Sequence, residues 1–353
     1  MSVAIPHRLA SLDFLRGVAA LLVAIPHFFI FAEINVPVFE AVSVIGVEIF
    51  FVLSGFVLAP QILEIAMVRP SLTNLGIFWV RRWMRTIPAY LLAVTILSMV
   101  SHELFTADYF RYALYIQNLF KQANENDYFS IAWSLSVEEW FYLAFPPVIL
   151  AAASFRRSRT SVLVGTLLFI AVVMFARTAF GDYSHWGSEV RRVVMFRVDS
   201  IAWGFLLHLA INTKRSFLLR PGVGLIGAGL AIASIAGFFL TLSIETGDAD
   251  WQKHAFPFVA TAIGAIGIIL AVKLNTVFEA IPALRDAGLY LGRISYSIYL
   301  FHLLVLITLS ARLAALSWPI QLVAFIVITV LIATLVYEAI EAPILRSRPK
   351  FRT

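Results

Sequence analysis

Apolar runs of about 20 residues, separated by short polar segments, recur along this chain from residue 12 to residue 340. A run of that length spans a bilayer core as an α-helix, so the pattern predicts an all-α, polytopic membrane protein. The alternating apolar/polar period of a membrane β-barrel is absent from the sequence. Ten spans are predicted, at about 12–32, 42–60, 80–101, 131–152, 161–180, 193–212, 222–243, 255–273, 287–310 and 318–340. Residues 106–121 are aromatic but short and polar for a span, and read as an interfacial or re-entrant helix.

Polar flanks orient the spans. With the N-terminus placed in the cytoplasm, inside segments carry 17 of the 27 Lys and Arg, outside segments carry seven, and three lie within spans. That asymmetry predicts both termini inside. One membrane domain is expected over residues 1–345, with a basic cytoplasmic tail over 346–353.

Composition agrees: 61% of the 353 residues are hydrophobic and 14% are charged, against about 25% charged in soluble domains. The net charge of +6 would suit nucleic acid in a soluble protein. Here the basic residues flank hydrophobic spans, so membrane topology explains them and no nucleic-acid partner is expected. Cysteine is absent, which excludes any mechanism through a cysteinyl thioester. No Walker motif, dinucleotide fingerprint or zinc-ligand spacing occurs, so neither a metal nor a bound cofactor is expected.

Candidate chemistry comes from polar residues inside the spans, which face a bundle interior or a wet cavity rather than lipid. Arg16 and His27 interrupt the first span eleven residues apart. Eleven helical steps return them to nearly one face, about 16 Å apart along the axis. The predicted topology then gives two clusters at different depths. His27, Glu48, Glu138, Glu139, Arg197, Asp199 and His302 fall in the outer half. Asp13, Arg16, Arg82, Arg85, Arg293, Glu338 and Glu341 fall in the inner half.

An imidazole oriented by a carboxylate can take a proton from a hydroxyl, and arginines hold phosphates in bidentate fashion. The two clusters therefore suggest group transfer at the membrane, from a phosphorylated donor inside to a hydroxyl outside. Each residue also has an ordinary explanation. Arg16 can snorkel to headgroups or pair with Asp13 at i,i+3. His27 can bridge helices. Arg81, Arg82 and Arg85 can anchor the inner interface. Phe50, Phe51, Ser54 and Gly55 read as helix packing, and of the adjacent pair Glu138 is expected to face inward, with Glu139 secondary. A secondary transporter or flippase for lipid-linked sugars is the rival reading of the same intramembrane charges.

Six ordered blocks resemble the acyltransferase-3 family of bacterial membrane proteins. They are Leu12 to Ala20 followed by His27, Gly46 to Phe56, Arg82 to Pro88, Trp133 to Tyr142, Leu291 to His302, and Glu341-Ala-Pro. The resemblance covers nearly the whole chain. It implies acyl-CoA, acetyl-CoA above all, as co-substrate and a carbohydrate or glycolipid hydroxyl as acceptor, in the lipid of a bacterial inner membrane. It implies Arg16 and His27 as paired functional residues and Arg82 with Arg85 as a further pair.

The expected roles follow. Arg16, Arg82, Arg85 and Arg293 bind the donor, and His27 acts as base or transient acyl carrier. Glu48 or Glu138 fixes the His27 tautomer. Arg197, Asp199, Tyr299 and His302 line the acceptor pocket, and Asp13 and Glu341 make structural pairs. One departure is Glu48, where the family commonly has aspartate. Some members carry an added periplasmic hydrolase-like domain; here transfer in one step, or with a separate partner, is expected.

Overall fold

Successive apolar runs become a helical bundle in the computed structural model, which describes residues 9–34, 37–122, 127–212, 229, 232–233, 250–313 and 315–352. The helices are α1 (Ala10–Phe31), α2 (Pro37–Leu63, continued by a π turn Glu64–Val68), α3 (Leu72–Val100), α4 (Ala107–Ala113), α5 (Ala132–Phe155), α6 (Arg159–Phe180), α7 (Asp199–Ile211), α8 (Asp250–Ala280), α9 (Pro282–Leu313), α10 (Trp318–Val336, continued by a π turn Tyr337–Glu341) and α11 (Ala342–Arg346). Among the described residues, nine segments are long and apolar enough to cross a membrane. They match nine of the ten expected spans, and the tenth, 222–243, lies outside the described residues except for 229, 232 and 233. The chain is a multi-pass membrane protein. The end where α1 begins is called the lower face below, and the opposite end the upper face.

The bundle is apolar on its outside, as lipid requires. Val323, Val327, Leu331 and Leu335 repeat every four residues along α10 and are exposed, forming a lipid-facing stripe. Helix α2 runs through the centre, packed by α1, α7 and α8. Its approach to α7 depends on two glycines: a Cβ on Gly55 would collide with the Ile201 carbonyl, and one on Gly204 with the Val52 carbonyl. Backbone-to-backbone contact of this kind is how small residues join membrane helices. Replacing Gly204 by Leu is expected to cost about 1–3 kcal/mol through overpacking, read as a lower melting temperature of purified protein. An unchanged melting temperature would mean that the two helices part freely.

Two elements differ usefully from expectation. Helix α3 begins at Leu72, where Ser71 accepts a hydrogen bond from the Asn74 amide at 3.0 Å. Arg82 therefore lies ten residues, about 15 Å, into the helix rather than at its mouth. The tail is also docked. Arg81 donates to the Pro349 carbonyl at 2.7 Å and lies over the Phe351 ring, while Asn74 pairs with the Arg352 backbone in both directions.

The segment after α4 enters the bundle. Tyr112, Tyr115, Gln117 and Asn118 are buried. Gln117 donates to Ser136 at 2.6 Å, Asn118 donates to the Trp133 and Arg192 carbonyls, and the Tyr115 carbonyl accepts from Trp140. A re-entrant stretch survives here because protein groups, not lipid, satisfy its backbone. Tyr115 turns the chain with φ of 58°, its ring stacked 4.1 Å from Tyr90. That left-handed conformation is costly for an aromatic residue and is held by the packing around it.

Candidate active site

The polar residues buried by this packing gather around two cavities. The lower one has a cavity volume of about 80 Å³, or about 760 Å³ counting the open space at its mouth, and is lined by Arg16, Ser54, Arg82, Arg85, Glu138, Tyr142, Tyr296 and Tyr299, among others. Arg82 and Arg85 share a face of α3 at i,i+3, as the sequence spacing required. Arg82 donates to Gln61 at 3.3 Å, and neither arginine has a carboxylate within 4 Å among the described residues. Arg16 leans on Asp13 at 3.5 Å, the expected structural pair. Opposite these cations, Glu138 accepts from Ser54 at 2.7 Å and from the Tyr142 hydroxyl. Glu138 faces this cavity; Glu139, turned about 100° on the helix, is buried and is not part of its lining. His27 itself does not line this cavity.

The upper cavity holds about 1650 Å³, counting space at its mouth, and is lined by His27, Ser43, Trp133, Arg191, Arg192 and Tyr299, with Glu33 and Glu40 also on its wall. Val47 and Tyr299 belong to the linings of both cavities, so they form the partition. The Tyr299 hydroxyl is held by Ser134 at 2.6 Å and the Ile131 carbonyl at 3.2 Å, with Phe50 edge-on to its ring.

His27 is oriented by a second imidazole. His27 Nδ1 lies 2.9 Å from His302 Nε2, the rings nearly parallel, and His302 Nδ1 lies 3.2 Å from the Ile298 carbonyl. The network assigns the protons. A carbonyl only accepts, so His302 carries its proton on Nδ1 and offers a lone pair at Nε2. His27 then donates from Nδ1, and its Nε2 lone pair is left beside Ser43 Oγ at 3.4 Å, on the cavity side. A neutral imidazole whose Nε2 lone pair meets a serine hydroxyl at 3.4 Å, at the edge of a polar cavity, is equipped to take a proton from an acceptor hydroxyl that takes the serine's place.

Several expected roles are corrected here. Neither Glu48 nor Glu138 touches His27. Helix α2 begins at residue 37, not 42, so Glu48 lies eleven residues, about 16 Å, from its upper end. His27 lies only four residues, about 6 Å, from the upper end of α1. Ser43 stands at the depth expected of Glu48. Glu48 pairs instead with Arg197, both 1% exposed or less. Asp199 pairs with Arg177 at 3.1 Å. Arg197 and Asp199 therefore line neither cavity; they are interhelical ion pairs. His302 backs His27 rather than lining the pocket. Arg293 is exposed on α9 and lines neither cavity. Its neighbour Gly292 takes the face against Asp13, which turns Arg293 about 100° outward. Glu341 accepts from Ser297 at 2.5 Å, as a structural pair.

Other residues join the site that the sequence gave no role. Ser54 and Tyr142 engage Glu138. Arg348, from the tail, lies in the field of Arg82, Arg85 and Arg81; burial first and those cations second press its guanidinium down to about 9. Arg191 and Arg192 line the upper cavity. Burial and the adjacent Arg192 hold Arg191 down at about 9 as well, so it remains charged at neutral pH. The available signal was that Arg191 and Arg192 sit on the side that the positive-inside bias leaves poor in cations.

A helical membrane bundle with a polar two-chamber interior defines a class, and sequence comparison gives the family. The acyltransferase-3 profile, an acyltransferase domain, matches residues 9–338; the chain belongs to this acyltransferase family. It is 26% identical to O-acetyltransferase OatA of Staphylococcus aureus strain NCTC 8325 / PS 47, over 96% of this chain and 57% of that protein. It is 23% identical to a provisionally named O-acetyltransferase of S. aureus strain COL, over 85% of this chain and 52% of that protein. The chain thus spans a little over half the length of the curated relatives it matches. No solved structure matches it significantly.

Proposed function

We propose that this protein transfers an acetyl group from acetyl-CoA to a hydroxyl of a carbohydrate or glycolipid, in the lipid of a bacterial inner membrane with both termini in the cytoplasm. The observation that carries this reading is His27. Its Nε2, beside Ser43, borders a cavity that shares Val47 and Tyr299 with a second cavity lined by Arg16, Arg82 and Arg85. CoA phosphates arriving from the cytoplasm meet those arginines. The extended pantetheine arm passes the partition and brings the thioester to His27.

Chemistry at that point is simple to balance. His27 Nε2 takes the hydroxyl proton as the acceptor oxygen attacks the thioester carbonyl carbon. The carbon–sulfur bond breaks, the thiolate leaves, and the imidazolium returns the proton to give CoA–SH. The imidazolium is spread toward His302 through the Nδ1 hydrogen bond. Ser54 and Tyr142 hold Glu138 in the lower cavity, where its charge balances the arginines while the donor is absent.

The direct test is purified protein in nanodiscs with acetyl-labelled acetyl-CoA and a glycan acceptor. Label on the glycan is the expected result; absence of acetyl-CoA binding, or glycan uptake into vesicles without acyl chemistry, would refute the reading. The donor side makes a separate prediction. Hydrogen bonds to charged groups contribute about 1.5–3 kcal/mol, so Arg82→Gln or Arg85→Gln should raise KM for acetyl-CoA about 10- to 100-fold. Arg348→Gln, acting from the edge of the cluster, should raise it several-fold. KM for S-acetylpantetheine, which lacks the nucleotide phosphates, should change little in all three variants. Equal effects on both donors would show that the arginines do not bind phosphate.

A further inference from the structure

The upper cavity contains two cations for which the acetyl-transfer reaction has no use. Arg191 and Arg192 both line it beside His27. Arg191 is 5% exposed, and the Nε of each arginine is buried without a hydrogen-bond partner. Among the described residues no carboxylate forms an ion pair with either one, although Glu33 and Glu40 line the same cavity. Glu40 and Glu48 act on Arg191 only through space; a buried guanidinium with no bonded counter-ion is costly, and bundles retain such groups where a ligand supplies the contact.

The two arginines are also held in place. The Arg191 guanidinium lies over Trp133 at 5.7 Å and Trp186 at 5.9 Å, a geometry that fixes its plane. The Arg192 carbonyl accepts from Asn118 at 2.6 Å, and the Val194 amide donates to the Asn118 carbonyl at 2.9 Å. The re-entrant segment thus clamps the backbone that presents both side chains. Rigid support around an unpaired polar group is what a preorganised binding site requires.

We propose that the acceptor enters the upper cavity bearing an anionic group, a carboxylate or phosphate on the sugar, which Arg191 and Arg192 hold while His27 faces the hydroxyl to be acylated. The cavity is large enough for more than one sugar residue. A planar guanidinium matches either anion with two parallel hydrogen bonds. This inference rests on the acetyl-transfer reading for the presence of an acceptor, but anion binding can be measured without any transfer.

The test uses the full chain in nanodiscs and three probes on one sugar: methyl glucoside, its glucuronic acid counterpart, and glucose 6-phosphate. Binding is measured directly, and acetylation from labelled acetyl-CoA is followed in parallel. Wild-type protein should bind an acidic probe at least tenfold more tightly than the neutral one, and the better of the two acids identifies the anion. That preference should disappear in Arg191→Gln/Arg192→Gln and persist in Arg191→Lys/Arg192→Lys. Equal binding of all three probes by wild-type protein overturns the inference with no variant needed, as does a preference that survives the glutamine pair. Acid preference with no acetylation of any probe would keep the anion site and count against the acetyl-transfer reading. Acetylation with no acid preference would do the reverse.

Discussion

His27→Ala should lower acetyl transfer by about 10²- to 10⁴-fold, the range that a positioned general base contributes. The protein should still insert and purify normally. His27 is only half-buried and borders open cavity, so its removal leaves no closed void of the kind that makes core truncations expensive. His302 gives the graded control. Its Nε2 accepts the His27 Nδ1 proton, and that bond fixes the tautomer that leaves the His27 Nε2 lone pair toward Ser43 and the cavity. His302→Gln supplies an amide oxygen as substitute acceptor and should retain much of the rate. His302→Leu removes the acceptor and should lose about tenfold or more, with an altered pH profile of kcat, because a hydrogen bond that fixes a tautomer is then missing. Transfer at near-normal rate by His27→Ala, measured with labelled acetyl-CoA, would remove the imidazole from the reaction.

How much of this was legible in the sequence follows from what periodicity encodes. Hydropathy located nine described helices because each must bury or expose about 20 residues in lipid, and the residue types declare it. The i,i+3 spacing of Arg82 and Arg85 and the eleven-residue spacing of Arg16 and His27 fixed their faces for the same geometric reason. Depth was less legible. It depends on where a helix starts, and α2 and α3 extend five and eight residues beyond their apolar cores. That shift moved Glu48 away from His27 and Arg82 deeper into the bundle.

Partner choice within a helix was legible, as in Asp13 with Arg16, but partner choice between helices was not. Glu48, Arg197, Asp199 and Arg177 could each have faced a pocket by sequence. Only the tertiary arrangement shows that they neutralise one another between α2, α6 and α7. The glycines carry a similar lesson. Gly55 read as ordinary packing, and it is; its significance is the distance it allows between two backbones, which pairs it with a glycine 149 positions later. Ser43 had no feature to distinguish it, because a lone serine in a span is common and its role here comes from the ring beside it.

Glu48→Gln should cost about 3–5 kcal/mol of stability, because it strands the Arg197 cation at 1% exposure. The guanidinium lies over Phe51 and Phe256, and these rings soften the loss without replacing an anion. Arg197→Gln should do the same from the other side by stranding the carboxylate. The informative protein is the double variant, Glu48→Gln/Arg197→Gln. It buries no net charge and leaves two amides that can hydrogen-bond, so it should recover most of the melting temperature lost by either single change, a coupling that a double-mutant cycle isolates. The opposite role for Glu48, as the carboxylate that orients His27, makes a different set of outcomes. Glu48→Gln would then melt normally and lose acetyl transfer per folded molecule, and the double variant would regain nothing. Melting temperature and specific activity, measured on the same four proteins, separate an ion pair that holds α2 against the segment leading into α7 from a carboxylate that takes part in the chemistry.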